Sequence, residues 1–314
     1  MRVLVTGAAS HLAQALLPAL LAHPDIEAVT GLDIAPVSFS HPRFRAVRAN
    51  LLGPDLGQHL EGVDAVIHLA FVVMGRMLGA QRKDRELIRR YNLDATQALC
   101  RAATASGVRR IVYASSVAVY GAWPDNPALI PESWPLRPMP GFAYSEDKAA
   151  VEWWLDDFEQ APGAPAITRL RIHAIVGPRA QSLLNLIART RFYVQVPDPQ
   201  PPTQCIWEDD VVQALLQALF SEVDGAFNLA APEPLSFKDI VSRDGRWAMP
   251  VPYALAEKAH RAFWQISGNL GDPGWLAGLR YPLAVDTRRA EALLHWRPRH
   301  SVAECLDILR NSHR

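Results

Sequence analysis

The stretch Val5-Thr-Gly-Ala-Ala-Ser-His-Leu-Ala13 joins a short apolar run, Arg2-Val-Leu-Val-Thr6, to a helix-like stretch from His11 to Ala22. The run has β character, and the residues after the turn switch to helical spacing. A strand that turns through glycine into a helix leaves unpaired backbone N–H groups at the helix start, where a phosphate is readily held. A dinucleotide fingerprint carries three glycines at such a turn. Here Gly7 stands at the first position, Ser10 at the second and Ala13 at the third. Alanine suits the third, which serves helix–strand packing. Ser10 is a departure: its Cβ restricts the backbone and crowds a pyrophosphate, while its hydroxyl offers a donor to a phosphate oxygen.

Working outward, Glu27 to Asp33 reads as a second strand, Phe44 to Val47 as a third and Asp64 to Ala70 as a fourth. Asp84 to Ser106 has helical periodicity, Arg110 to Ser116 is a fifth strand, Ala143 to Phe158 a helix and Ile167 to Ile175 a sixth strand. Glu208 to Phe220 reads as a helix whose three acids complement its dipole, and Ala226 to Ala230 as a seventh strand. Strands alternating with helices predict an α/β fold, a parallel sheet covered on both faces. Ligands of such sheets bind at the carboxyl ends of the strands, where Thr6, Asp33, Ala70 and Ser116 all fall. Asp33, about 20 residues past the loop, is placed to accept from both ribose hydroxyls of a dinucleotide and to repel a 2′-phosphate, so NAD is the expected cofactor. Asn50 is a candidate for the adenine side.

The composition narrows the classes. The chain has 314 residues, 49% of them hydrophobic, with 32 basic and 32 acidic residues. That balance gives no global footprint for nucleic acid or an anionic membrane. No apolar run reaches the length of a transmembrane helix, and no signal peptide is read. Cys100, Cys205 and Cys305 have neither metal-ligand nor disulfide-framework spacing, which suits a reducing cytoplasm, and the 10 histidines show no metal spacing either. His68 reads as a satisfied core histidine.

The stretch Ala143-Tyr-Ser-Glu-Asp-Lys148 opens the helix that ends at Phe158. Tyr144 and Lys148 lie four apart and so share a helical face. A cation beside a phenol lowers its pKa toward the range of a general acid/base. The pair therefore reads as catalytic if the rest of the chain brings it a substrate.

Several stretches then line up in order. VTGAASHLA at 5–13, GLD at 31–33, VDAVIHLA at 63–70, YNLDATQALCRAA at 91–103, RRIVYASSVAVYG at 109–121 and YSEDK at 144–148 are followed by RLRIHAIVGPR at 169–179, DDVVQAL at 209–215, GAFNLA at 225–230 and VDTRRAEALLHWRPRHS at 285–301. Together they resemble the extended short-chain dehydrogenase/reductase family, in its NAD-dependent epimerase/dehydratase branch. The resemblance implies a Rossmann-type doubly wound sheet carrying NAD, over residues 1–177 and 206–231, and a smaller substrate-binding domain from 178–205 and 232–314. It implies a catalytic set of Ser116, Tyr144 and Lys148. The expected cofactor contacts are Gly7, Ala9, Ser10, His11, Leu12, Asp33, Ile34, Asn50, Leu51, Leu69, Ala70, Phe71, Asn92, Ser115 and His173, with Tyr144 and Lys148. The expected substrate contacts are Met74, Val117 and Gln204, with Ser116 and Tyr144. A small-molecule substrate is implied, and a homodimer through the helices at 84–106 and 143–158.

Departures from the family bear on the substrate. His173-Ala174 stands where many sugar-nucleotide members have an aromatic and an asparagine, the segment from Pro178 to Ile206 is short, and Gln204 stands where many have an arginine. Three readings stay open: epimerisation or dehydration of a nucleotide sugar, net oxidation or reduction of a free hydroxy or keto compound, apolar or not, and a non-catalytic dinucleotide sensor.

Overall fold

The structure is a computed structural model and describes residues 1–73, 84–180, 192–195, 201–242, 247–267 and 274–311. Seven strands form one parallel sheet: β1 (Arg2–Thr6), β2 (Ala28–Asp33), β3 (Phe44–Arg48), β4 (Ala65–His68), β5 (Arg110–Ser116), β6 (Ala166–Ile172) and β7 (Gly225–Leu229). Their order is β3-β2-β1-β4-β5-β6-β7. The expected third and seventh strands are both present. The winding reverses between β1 and β4, and such a switch point opens a crevice at the strand carboxyl ends. Thr6 and His68 are register partners there.

Apolar side chains decide the layers. Helices α1 (His11–Ala22) and α5 (Glu208–Phe220) cover one face, burying Leu16, Leu17, Leu20, Val211 and Leu215. Helices α3 (Ala95–Ala105) and α4 (Ala143–Phe158) cover the other, burying Leu99, Ala103, Val151 and Leu155. Each buried leucine contributes roughly 1.5–3 kcal/mol of transfer free energy.

Two elements depart from the sequence reading. The helix expected over 84–106 is interrupted by a π turn at Arg90–Asp94, between α2 (Arg85–Arg89) and α3. The wider turn carries Asn92 inward, where it is 1% exposed and clamps the backbone of Val72. The sixth strand stops at Ile172 rather than Ile175, and Ile175–Val176 pairs instead with Ile206–Trp207.

Helix α4 has an unusual inner face. Ser145, Asp147, Lys148 and Glu152 are all at most 3% exposed, and each is held by a different partner. Ser145 Oγ donates to the Ala118 carbonyl at 2.6 Å and accepts from Met139 N at 3.0 Å. Asp147 accepts from Asn92 at 2.9 Å and Arg85 at 2.6 Å. Lys148 Nζ donates to the Ala114 carbonyl at 2.6 Å and to the Tyr113 hydroxyl at 3.2 Å. Glu152 takes the guanidinium of Arg171, with Nε 3.0 Å from both carboxylate oxygens, and the hydroxyl of Ser115. Arg171 also donates to Tyr120 Oη at 2.7 Å.

Removing one partner of such a buried pair leaves the other charge uncompensated. Arg171→Leu is expected to cost about 3–5 kcal/mol, read as a lower denaturant midpoint. Replacing Glu152 and Arg171 together by leucine should recover much of that loss. Equal losses in the single and double variants would refute the pairing.

Candidate active site

A groove of about 660 Å³ runs along the carboxyl ends of the first four strands. Gly7 turns the chain at its floor with φ +72°, and a Cβ there would lie 2.5 Å from Ala70 N. Only glycine allows that approach. Asp33 closes one end: Oδ2 accepts from Ala9 N at 3.0 Å and Oδ1 from Ala35 N at 2.9 Å. Each carboxylate oxygen keeps a lone-pair site for a hydroxyl. Ser10 caps α1, its Oγ accepting from Ala13 N at 3.2 Å. The hydroxyl thus holds the helix start, and its own proton remains to donate.

Of the cofactor residues expected from sequence, Gly7, Ala9, Ser10, Asp33, Ile34, Asn50, Leu51, Leu69, Ala70 and Phe71 line this groove. Arg48 and Tyr91 line it too and were not foreseen. His11 and Leu12 open α1 but lie outside its wall, and Leu12 leans on the core. Ser115 points away from the groove, to Glu152, because neighbours along a strand face opposite sides. Asn92 meets the groove only through Val72, accepting from its N–H at 2.8 Å and donating to its carbonyl at 3.0 Å. His173 is turned to the Leu283 carbonyl, 3.0 Å from Nε2, and burial pushes its pKa down to about 4.

The residues expected at the substrate are placed as follows. Val117 is buried in the core with Tyr120 and Val285. Gln204 is 3% exposed, and its amide is engaged by backbone, donating to the Ala231 carbonyl at 2.9 Å and accepting from Val285 N at 2.8 Å. Neither is among the described wall residues of the groove or of the second cavity. Met74 lies outside the described residues.

Ser116, Tyr144 and Lys148 do come together. Ser116 ends β5, its Oγ accepting from Ala118 N at 3.2 Å, and its hydroxyl lies close enough to Tyr144 to favour the phenolate. Lys148 follows one turn later, but its ammonium turns to Ala114 and Tyr113 and lies 6.0 Å from the Tyr144 ring centroid. Burial therefore raises the Tyr144 phenol, against the opposing hydrogen bond from Ser116. The lowering by Lys148 that the spacing suggested does not operate in this arrangement. Burial pushes Lys148 itself down to about 7, resisted by Glu152 and Asp147. The ring of Phe71 lies over the ammonium, 3.9 Å from Nζ, and meets the Tyr144 ring edge-on at 5.3 Å. Phe71 lines the groove and Lys148 does not.

His68 holds Thr6 at 2.6 Å and Thr96 at 2.9 Å. Burial lowers its pKa to about 3, so it stays neutral and structural. No cluster of metal-ligating side chains occurs among the described residues, and no described helix is long and apolar enough to cross a membrane. A second cavity, of about 240 Å³, lies beyond Tyr144. Phe142 forms part of its wall, with its ring 5.8 Å from that of Tyr144.

The groove residues fit a dinucleotide. An acid sits at one end, a glycine cradle with no room for a Cβ lies at the floor, and the Tyr144 region lies at the other end. Phe71→Ala should admit water to Lys148 and raise its pKa from about 7 toward its ordinary value of 10.5. The check is the pH at which Lys148 becomes reactive to an amine-labelling reagent in the cofactor-free protein. An unchanged midpoint would mean that Phe71 does not keep the lysine dry.

Residues 3–230 match the NAD dependent epimerase/dehydratase family. An uncharacterized protein of Mycobacterium bovis is 28% identical over 315 aligned residues, covering 97% of this chain and 82% of that protein. Sterol demethylase protein B of Methylococcus capsulatus is 31% identical over 57% of this chain and 52% of its own length. The UDP-glucose 4-epimerase of Thermus thermophilus, solved as a complex with NAD, shares the fold at a TM-score of 0.76, with 22% identity over 99% of this chain and 98% of that one. The matched region holds all of the parallel sheet but Arg2, and all three residues of the Ser116, Tyr144 and Lys148 set. The chain belongs to the NAD dependent epimerase/dehydratase family, with NAD as its cofactor.

Proposed function

We propose that this chain transfers hydride between NAD and a hydroxyl-bearing carbon of a small molecule, with Ser116, Tyr144 and Lys148 as its catalytic set. The observation that carries the reading is the position of Tyr144: its ring meets Phe71 of the groove edge-on at 5.3 Å and lies 5.8 Å from Phe142 of the second cavity, with Ser116 acting on its phenol. NAD supplies the hydride acceptor when bound.

The side chains supply the rest. In oxidation, Tyr144 takes the proton of the substrate hydroxyl at its phenolic oxygen, as hydride leaves the carbon. In reduction it returns that proton. Ser116 donates to the same substrate oxygen while charge develops there. Lys148 sets a positive charge one helical turn behind them. Gly7 and Asp33 hold the dinucleotide, and Asn92 fixes the Val72 backbone beside it. Residues 178–205 and 232–314 form the substrate-binding part of this reading. The helices at 84–106 and 143–158 form its dimer face, where Trp153 is 48% exposed. Within the same chemistry, the likeness to the UDP-glucose 4-epimerase favours a second reading, in which hydride leaves and returns in one cycle on a nucleotide sugar.

Tyr144→Phe should lower turnover by about 10²–10⁴-fold while NADH binding, measured by fluorescence titration, is kept. Unchanged turnover would sink the assignment. A pH profile gives a separate check. The raised phenol stays protonated through neutral pH, so oxidation, which needs the phenolate, should climb about tenfold per pH unit below that pKa. Reduction, which uses the protonated phenol, should not climb.

A further inference from the structure

The cavity beyond Tyr144 has no charged side chain in its wall among the described residues. Its surface comes from groups such as Ala118, Met139, Phe142, Leu279 and Leu283, and its polar side chains are the hydroxyls of Thr203 and Tyr281. Two of its wall residues reach the catalytic pair: Ala118 donates through its N–H to Ser116, and the Phe142 ring lies 5.8 Å from that of Tyr144.

Several polar side chains nearby are turned elsewhere, and Arg280 lies over the rings of Tyr253 and Tyr281. Gln204 is engaged by two backbone groups, and His173 is engaged by Leu283 and by Ala174 N. Arg179 is paired with Glu208 at 3.0 Å, and Arg171 is locked to Glu152. A nucleoside diphosphate needs cations or a fork of donors against its phosphates, and burying it unpartnered is strongly unfavourable. An apolar body asks only for a dry wall of the right size. The 240 Å³ of this cavity is about eight times the roughly 30 Å³ share of a water molecule in the liquid. That volume takes a hydrocarbon portion on the order of eight to ten heavy atoms.

We propose that the substrate is a secondary alcohol or ketone with an apolar body, seated in this cavity with its oxygen between Ser116 and Tyr144, and that Leu279 is a specificity-determining residue in the cavity wall. The inference rests on the hydride-transfer reading for the chemistry but not for the binding. The oxidation balances without a further reactant: the carbinol hydrogen leaves with its electron pair to NAD, the hydroxyl proton goes to Tyr144, and the ketone forms.

Binding is measured by calorimetry on the NADH complex of Tyr144→Phe, in which chemistry is off and the cavity intact. The probes are the straight-chain 2-ketones from 2-butanone to 2-decanone, and UDP-glucose. Affinity should rise about fourfold per added methylene and level off near eight carbons, with no binding of UDP-glucose. Leu279→Glu in the same background should weaken 2-octanone by at least thirtyfold while NADH still binds, which shows the fold is intact. A flat ketone series, no ketone binding at all, or saturable binding of UDP-glucose each overturns the apolar assignment and leaves the hydride-transfer reading standing. Ketone binding as expected, with no NADH oxidation by the unmodified protein on the same ketones, would instead overturn the hydride-transfer reading.

Discussion

The inner face of α4 is polar and dry, and the rest of the site follows from that constraint. A buried polar group without a partner costs about 1–3 kcal/mol, and a charged one costs more. Four such groups on one helix allow very few orientations. Ser145 fixes the helix start against Ala118 and Met139. Asp147 ties it to Arg85 and Asn92, Lys148 to the end of β5, and Glu152 to Arg171 on β6. Tyr144 precedes all four, so its phenol is placed on Ser116 by bonds that it does not make itself. The same lattice reaches the cofactor groove, because Asn92 also clamps Val72, next to Phe71.

Most of this architecture was legible in the sequence, because its signals are local. Strand and helix periodicity gave the sheet, and Gly7, Asp33, Ala70 and Phe71 follow from being at or next to strand ends. Strand alternation also tells Ser115 from Ser116, once Ser116 is known to face the site. The long-range contacts were not legible. Gln204 and His173 find their partners at Val285 and Leu283, 81 and 110 residues further along the chain, and no local pattern announces such a contact. The cavity wall divides in the same way. Met139 and Phe142 stand just before Tyr144 and were within reach of the motif, whereas Leu279, Tyr281 and Leu283 arrive from the far end of the chain. The Tyr144 and Lys148 spacing was read correctly as one face of a helix. It did not say which way the lysine would turn, and the carbonyl of Ala114 decides that.

Family membership and cavity chemistry answer different questions. The family speaks to NAD, and the proposed Ser116, Tyr144 and Lys148 set is the basis of the hydride-transfer reading. They leave the substrate to the walls around the set, since one fold carries many substrates. Here the described wall of the second cavity is apolar but for two hydroxyls, and Arg179 and Arg171 nearby are paired with Glu208 and Glu152. Lys148 shows the same economy of charge: its ammonium is buried beneath Phe71 at a thermodynamic cost, visible as its depressed pKa. A cofactor ribose that offered it hydroxyl acceptors would relieve part of that cost.

The most direct measurement is the crystal structure of the chain with NADH and 2-octanone bound. The account expects the ketone oxygen within about 3.2 Å of both Ser116 Oγ and Tyr144 Oη, its alkyl chain among Phe142, Leu279 and Leu283, and α4 unmoved. A ligand bound elsewhere, with nothing between Ser116, Tyr144 and the nicotinamide, would contradict it.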